Sequence, residues 1–371
     1  MKRTTIHFTA SRGMTLPELM VGLAVGLFVV TIAIATFVST RTLNVVNSSS
    51  TRMTENARLA TETLHTDLRS AGFAGCRTLS QRLDEKTINV VLNGGTDAGF
   101  ISEGSSGVRG YAGVDTGHSP GLPSALADLV PAPMTSSDVV SVRVPADNVF
   151  MGVIEPVDPP TANPRLTALA PGNSIQRGDV VVLSDCTSAT IFQVTAADPA
   201  ATGVLEHAVN TLTPGNRELA LYDKNLRPAF RNDSSVYRMQ TRHYYVAPSV
   251  LRTGTNSLWR LTVPAPNGGA LVPEEVASGI DRLFIRYGID SDLANPEMNV
   301  DRYVSAQALG ASAPEWDKVL SARVQLVAAT SEDRMAQRAQ TYQFAGSAVM
   351  ATDRRLRAVF TEVVTLRNIA P

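Results

Sequence analysis

The sequence is short of several things at once. Of 371 residues only two are cysteine, Cys76 and Cys186. That excludes a disulfide-built scaffold and a four-thiolate metal site and leaves room for one bridge. Charged residues make up 18% of the chain and nearly balance, 33 Lys+Arg against 34 Asp+Glu. With no run of Lys or Arg, a generally basic nucleic-acid binder is excluded. The five histidines (His7, His65, His118, His207, His243) have no metal-ligand spacing, and the phosphate-loop and dinucleotide glycine patterns are missing. Gly104-Ser105-Ser106-Gly107 is one residue short of a nucleophile elbow and lacks the flanking strand and helix that motif requires. Apolar residues are not scarce: 44% hydrophobic content excludes disorder, while 26 Gly and 21 Pro imply many turns.

What is present is concentrated at the N-terminus. Leu19–Thr40 contains no charged residue. As a helix this run rises about 33 Å, enough to cross a hydrocarbon core. Residues 1–13 carry Lys2, Arg3 and Arg12 and no acid, which keeps the N-terminus cytoplasmic and sends the rest outward. An ordinary signal peptide begins similarly, and Ala33-Ile34-Ala35 offers a small-x-small cleavage site. Two details oppose that reading. The run is longer than a usual signal core, and Glu18 stands at its edge, one residue after Pro17. A lone carboxylate entering lipid costs about 3 kcal/mol and needs a partner.

Gly13-Met14-Thr15-Leu16-Pro17-Glu18-Leu19 resembles the cleavage and methylation motif of type IV prepilins. The resemblance implies that a membrane peptidase cuts after Gly13 and that Met14 becomes an N-methylated first residue. Glu18 then meets the α-amine of a neighbouring subunit in a filament core. Pro17 departs from the commoner aliphatic residue, but a first-turn proline does a helix little harm.

Beyond Thr40 a helical stripe continues as Met53, Ala57, Ala60, Leu64 and Leu68, at spacings of four, three, four and four. The pattern predicts one helix from Met14 to about Ser70, with Asn47-Ser48-Ser49-Ser50 as a place where it bends or loosens. Gly22 and Gly26 form a small-xxx-small face, read equally well as a packing contact or as ordinary membrane-helix glycines. After Cys76 short β-branched runs take over. Residues 138–144, 179–183, 190–194, 236–246, 258–263, 282–289, 318–328 and 356–366 read as strands. Residues 94–133 and 158–164 read as surface loops. The expected fold is α+β and pilin-like, a long N-terminal helix packed on a large, mostly antiparallel head. Its expected parts are a leader (1–13), a membrane or filament-core helix (14–40), an amphipathic continuation (41–72) and a periplasmic head (73–371). An exported head lies in an oxidising compartment, so Cys76 and Cys186 are expected to be bridged; a pair of buried thiols is the alternative.

Further residues extend the resemblance along the chain. Arg69-Ser70-Ala71-Gly72-Phe73-Ala74-Gly75-Cys76 is followed by Val182-Leu183-Ser184-Asp185-Cys186 and Tyr244-Tyr245-Val246. Leu258-Trp259-Arg260, Val276-Ala277-Ser278-Gly279-Ile280, Arg286-Tyr287-Gly288-Ile289-Asp290, Trp316-Asp317 and Thr365-Leu366-Arg367-Asn368 complete the series. This ordered series resembles the PilW family of minor type IV pilins, itself similar to J-type pseudopilins. The resemblance implies a non-enzymatic, single-pass inner-membrane subunit with a periplasmic head. Such a subunit is processed by prepilin peptidase, joins other minor pilins, the major pilin and the inner-membrane assembly machinery, and primes pilus assembly. It then sits near the filament tip, supporting twitching motility and adhesion. The rivals are a type II secretion pseudopilin, a tip adhesin, and an exported periplasmic enzyme with an ordinary signal peptide. No cofactor is expected. Asp290, Asp292 and Asp301 fall at positions one, three and twelve of a calcium loop, but Ala294, Asn295 and Met298 fail the intervening positions, so calcium is a weak candidate. Tyr237, Tyr244, Tyr245, Trp259 and Tyr287 read as core and cross-strand pairs before they read as a stacking platform.

Overall fold

The structure, a computed structural model, describes residues 13–368 apart from Ala74, 76–87, 94–106, 147–151, 168–174, 186–187, 210–211, Thr213, 226–228, 265–269 and 293–298. The chain divides into two units, Met1–Thr51 and Arg52–Pro371.

The first unit is helical. It holds the start of α1 (Leu16–Ser70), the one helix among the described residues long and apolar enough to cross a membrane. Pro17 occupies the first turn, where its missing N–H leaves nothing unpaired. The hydroxyls of Thr31, Thr36 and Thr42 donate to the carbonyls of Leu27, Ile32 and Val38, four residues back, at 2.7, 2.9 and 2.9 Å. Each polar group is thereby satisfied inside the helix, as an apolar medium demands. At 47–50, where the sequence predicts a bend or loosening, the helix is unbroken, and Thr51 Oγ1 donates back to Asn47 O at 3.0 Å. Low propensity is a weak prior when the hydroxyls join the helix instead of competing with it.

The second unit contains the remainder of α1 and the strands β1 (Ile88–Val90), β2 (Val108–Val114), β3 (Gly117–Ser119), β4 (Val139–Pro145), β5 (Gly152–Val153), β6 (Val180–Ser184), β7 (Ala189–Gln193), β8 (Ser235–Pro248), β9 (Asn256–Val263), β10 (Glu274–Ser278), β11 (Ile280–Ile289), β12 (Arg302–Val304), β13 (Val319–Ala329), β14 (Thr341–Phe344), β15 (Ser347–Met350) and β16 (Arg357–Thr365). All eight strands expected from the sequence form. The spine is β8. One of its edges carries β4 and β5, the other β6 and β9. From there the large sheet extends through β2 and β3, through β7 and β1, and through β10. Only β1–β7 is parallel among the described pairs. A second sheet runs β12–β11–β13–β16, all antiparallel, and β14–β15 is a hairpin.

Both faces of the spine are buried, which is why its sequence is not a simple alternation of apolar and polar residues. Tyr244 joins one core with Val140, Val142, Ile285, Tyr287 and Leu326, and this core also receives Met53, Ala57, Ala60, Leu64 and Leu68 of α1. Tyr245, its neighbour, points into a second core with Trp259, Val180 and Val182. Val181 and Leu183 enter a third with Phe192 and Val236. The expectation of a surface loop over 94–133 is corrected within its described part. β2 and β3 lie there, and β2 is largely buried against β4. Glycine hid the strand: a Cβ on Gly110 would stand 2.1 Å from the Tyr287 hydroxyl, so the core requires a residue of poor strand propensity.

Two residues stitch the sheets together. β12 covers only Tyr287–Ile289 of β11. Further along that edge, Ser137 Oγ accepts from Leu283 N at 2.9 Å and donates to Leu283 O at 3.2 Å, and Asp138 N donates to Leu283 O at 2.9 Å. The Asp138 carboxylate accepts from Ile285 N at 2.8 Å and from Gly113 N at 2.9 Å. Side chains thus satisfy backbone groups that a strand would otherwise take.

Candidate assembly site

The start of α1 is a closed polar unit. Thr15 N and Thr15 Oγ1 both donate to Glu18 Oε2 at 2.9 Å, and Leu19 N donates to Thr15 O. Thr15-Leu16-Pro17-Glu18 is the Thr-x-x-Glu spacing of a capping box, in which the third helical residue reaches back to the capping residue's N–H. Glu18 therefore has a local role as well as the one its position in the motif suggests, a role the sequence reading missed although the Thr-x-x-Glu spacing is its signal. Met14 and Glu18 are exposed, as are the apolar side chains from Leu19 to Val38. Residues 1–12 of the expected leader lie outside the described residues.

Within the second unit, α1 is fixed to the sheets by more than its apolar stripe. Asp67, 3% exposed, lies on the buried side of the helix. Its Oδ1 accepts from Arg242 Nη1 at 2.8 Å and its Oδ2 from the Tyr244 hydroxyl at 2.5 Å. Both partners come from β8. Burial pushes the Asp67 carboxyl upward, and Arg242 and Tyr244 pull it partly back. Burial, followed by the neighbouring carboxylate, drives the Tyr244 phenol far up, so it stays a donor. Sequence periodicity found Leu64 and Leu68 but not the carboxylate between them, because an acid in an apolar stripe carries no period of its own.

Three lighter contacts flank this pair. Asn56 Nδ2 donates to Ser278 O at 3.0 Å and to its hydroxyl at 3.1 Å. His65 Nδ1 and Glu362 Oε1 meet at 2.5 Å. Asn368 Nδ2 donates to Ser70 O and Ala71 O at 3.0 and 3.1 Å, so the C-terminal tail satisfies carbonyls that the helix end leaves open. At the helix exit Gly72, with φ +73°, passes Gly107, where a Cβ would stand 2.6 Å from Gly72 N.

The remaining expected sites are scattered. Cys76 and Cys186 lie outside the described residues, but their neighbours are close: a Cβ on Gly75 would stand 2.6 Å from Ser184 Cβ. In the acidic loop, Asp301 Oδ2 accepts from the N–H and hydroxyl of Ser291 at 2.8 and 2.5 Å, and Asp290 Oδ1 accepts from Asp292 N at 3.1 Å. Residues 293–298 of that loop are outside the described set. Among the described residues no three His, Cys, Asp or Glu side chains converge on a point that could hold a metal. His118, His207 and His243 contact Ser137 O, Leu219 O and Ser141 Oγ respectively, each in a different place. Tyr244, Tyr245, Trp259 and Tyr287 are core residues, and half-buried Tyr237 meets Phe73 edge-on at 5.0 Å.

No curated protein and no solved structure matches the chain. A family match does exist, and it covers Tyr244, which donates to Asp67, and Asn368, which caps α1. Over residues 243–368 the chain matches the model of the PilW family, type IV pilus-assembly protein W.

Proposed function

We propose that this protein is a minor pilin that primes type IV pilus assembly and is carried into the filament near its tip, supporting twitching motility and attachment. The carrying observation is the match over 243–368 to a family of type IV pilus-assembly proteins, which supports this reading over an enzymatic one. The apolar first part of α1 agrees with it, fitting a pilin-like protein of the inner membrane. In this reading prepilin peptidase cuts after Gly13, Met14 becomes the methylated N-terminus, and the anchor helix exchanges lipid for the helices of other subunits. Glu18 then offers its carboxylate to a neighbour's N-terminal amine. Its hydrogen bonds from Thr15 hold that carboxylate at the helix start, where such an amine would arrive. Other minor pilins and the major pilin are the partners. Cys76 and Cys186 form one bridge, a reading supported by the approach of Gly75 to Ser184.

Mass spectrometry of the mature N-terminal peptide tests this. The expected product begins at N-methylated Met14; a product beginning after Ala35, with no retained anchor, would overturn it.

A further inference from the structure

One face of the four-stranded sheet is turned away from the core. Leu283, Ile285, Tyr287, Val324, Leu326 and Val364 are buried in the core shared with α1, so the alternating residues face outward. The register sets Phe284, Gln325 and Thr361 in one row and Arg286, Arg323 and Val363 in the next. Arg286 and Arg323 are thus a directly opposed cross-strand pair of like charge. Such a pair destabilises a sheet unless something compensates it. Among the described residues no carboxylate forms an ion pair with either. The acid that senses Arg286 is Asp138, already committed to two backbone N–H groups.

The guanidinium groups rest on aromatic rings. Arg323 Cζ lies 4.1 Å from the centre of Tyr303, Arg286 Cζ 4.9 Å from that of Phe284, and Arg282 Cζ 5.9 Å from that of Phe344. A guanidinium held over a ring keeps N–H donors that a carboxylate can take in bidentate geometry. The arrangement is built into the backbone. A Cβ on Gly288 would stand 2.4 Å from Ser321 Oγ and 3.1 Å from Tyr303 Cε1, so only glycine lets the Tyr303 ring lie across β11. Beside the arginines Val363 is 48% exposed, on β16, the last strand of the sheet.

We propose that this face is a docking surface for an acidic segment of another protein, whose carboxylates bridge Arg286 and Arg323 while its apolar groups cover Val363. Charge complementarity selects the occupant: two opposed arginines over aromatic rings, neither of them ion-paired among the described residues. The small extent of the basic patch, on a chain with 33 basic and 34 acidic residues, favours a short acidic peptide over nucleic acid, whose binding grows with the number of phosphates neutralised.

The test uses the purified full chain in detergent and a fluorescent oligoglutamate peptide, with an oligolysine peptide and a single-stranded oligodeoxynucleotide of matched length as comparisons. Oligoglutamate is expected to bind, more weakly at raised salt. The double variant Arg286→Gln/Arg323→Gln is expected to lose affinity by about tenfold or more, whereas Arg165→Gln, an exposed arginine elsewhere, is not. The double variant should unfold no earlier than wild type, since a like-charge contact has been removed. Absence of oligoglutamate binding, equal binding by the double variant, or a destabilised double variant would each overturn the proposal. So would tighter binding of the oligodeoxynucleotide through the same two arginines. No pilus enters the assay, so this outcome and that of the N-terminal mass measurement are independent.

Discussion

Arg242 of β8 donates to the carboxylate of Asp67 at 2.8 Å, joining helix and sheet through an ion pair whose side chains are 6% and 5% exposed. A buried pair is weak evidence for stability as a whole, because desolvating two charges offsets most of their attraction. Breaking it is another matter. Asp67→Ala leaves Arg242 charged and buried without its counter-ion and is expected to destabilise the fold by about 3–5 kcal/mol. Tyr244→Phe removes one charge-assisted hydrogen bond and is expected to cost about 1.5–3 kcal/mol. Joint replacement, Asp67→Leu with Arg242→Leu, should recover much of the first loss. Urea unfolding of the full chain in detergent measures all three; a double variant no better than Asp67→Ala would contradict the argument.

Asp138 gives the junction between the sheets a pH dependence of known sign. Burial pushes its carboxyl from 3.8 up to about 6, against the two N–H groups it accepts from. A raised acid binds its proton more tightly in the folded state than in the unfolded chain. Its contribution to stability is therefore greatest below about pH 4, is lost as pH rises from about 4 to about 6, and is constant above that. The full loss corresponds to about 3 kcal/mol. Asp138→Asn removes this titration but sets an amide N–H against one of the two donors. The stability gap between wild type and variant should consequently be widest near pH 4 and narrow toward pH 7. A gap that stays constant across that range would show that Asp138 does not titrate there.

These two carboxylates mark the limit of what the sequence made legible. The stripe from Met53 to Leu68 could be read because burial on a helix imposes a period, and all five of its residues are buried. The eight strands expected between 138 and 366 could be read because β-branched residues cluster where two faces are covered; the short β5, β10, β12, β14 and β15 carry no such cluster and could not. Strand β2 could not, since Gly110 and Gly113 yield to the atoms around them and thereby erase the strand's composition signal. Asp67 and Asp138 could not because their partners are 175 and 147 residues away in sequence. Glu18 was legible as the acid of the prepilin-like motif, while its contact with Thr15 emerged only from the structure. Arg286 and Arg323 look like ordinary strand arginines until the register sets them opposite each other.

The cysteines yield a prediction that concerns the whole head. If Cys76 and Cys186 are bridged, peptide mapping without reductant recovers one cross-linked pair, and Cys76→Ser and Cys186→Ser lower stability equally. The expected loss is about 2–5 kcal/mol. Adding reductant should bring wild type to the level of the variants. Two free thiols in the mapped peptides of exported protein would contradict the bridge.

Glu18 has one observed contact and one proposed role, and substitution can separate them. Its carboxylate accepts from the N–H and hydroxyl of Thr15, a local contact worth about 1 kcal/mol at a helix start. The proposed role in assembly needs the charge itself, because only a charged group compensates a neighbouring ammonium in an apolar filament core. Glutamine keeps an oxygen that can accept from Thr15 and serves in a capping box, but it has no charge. Glu18→Ala and Glu18→Gln should therefore both insert into the membrane as wild type does, since neither makes the helix more polar. Both should be depleted from sheared pili to a similar degree, read by immunoblot of membrane and pilus fractions. If Glu18→Gln instead enters pili as well as wild type while Glu18→Ala does not, the cap alone accounts for the residue, and the charge has no part in assembly.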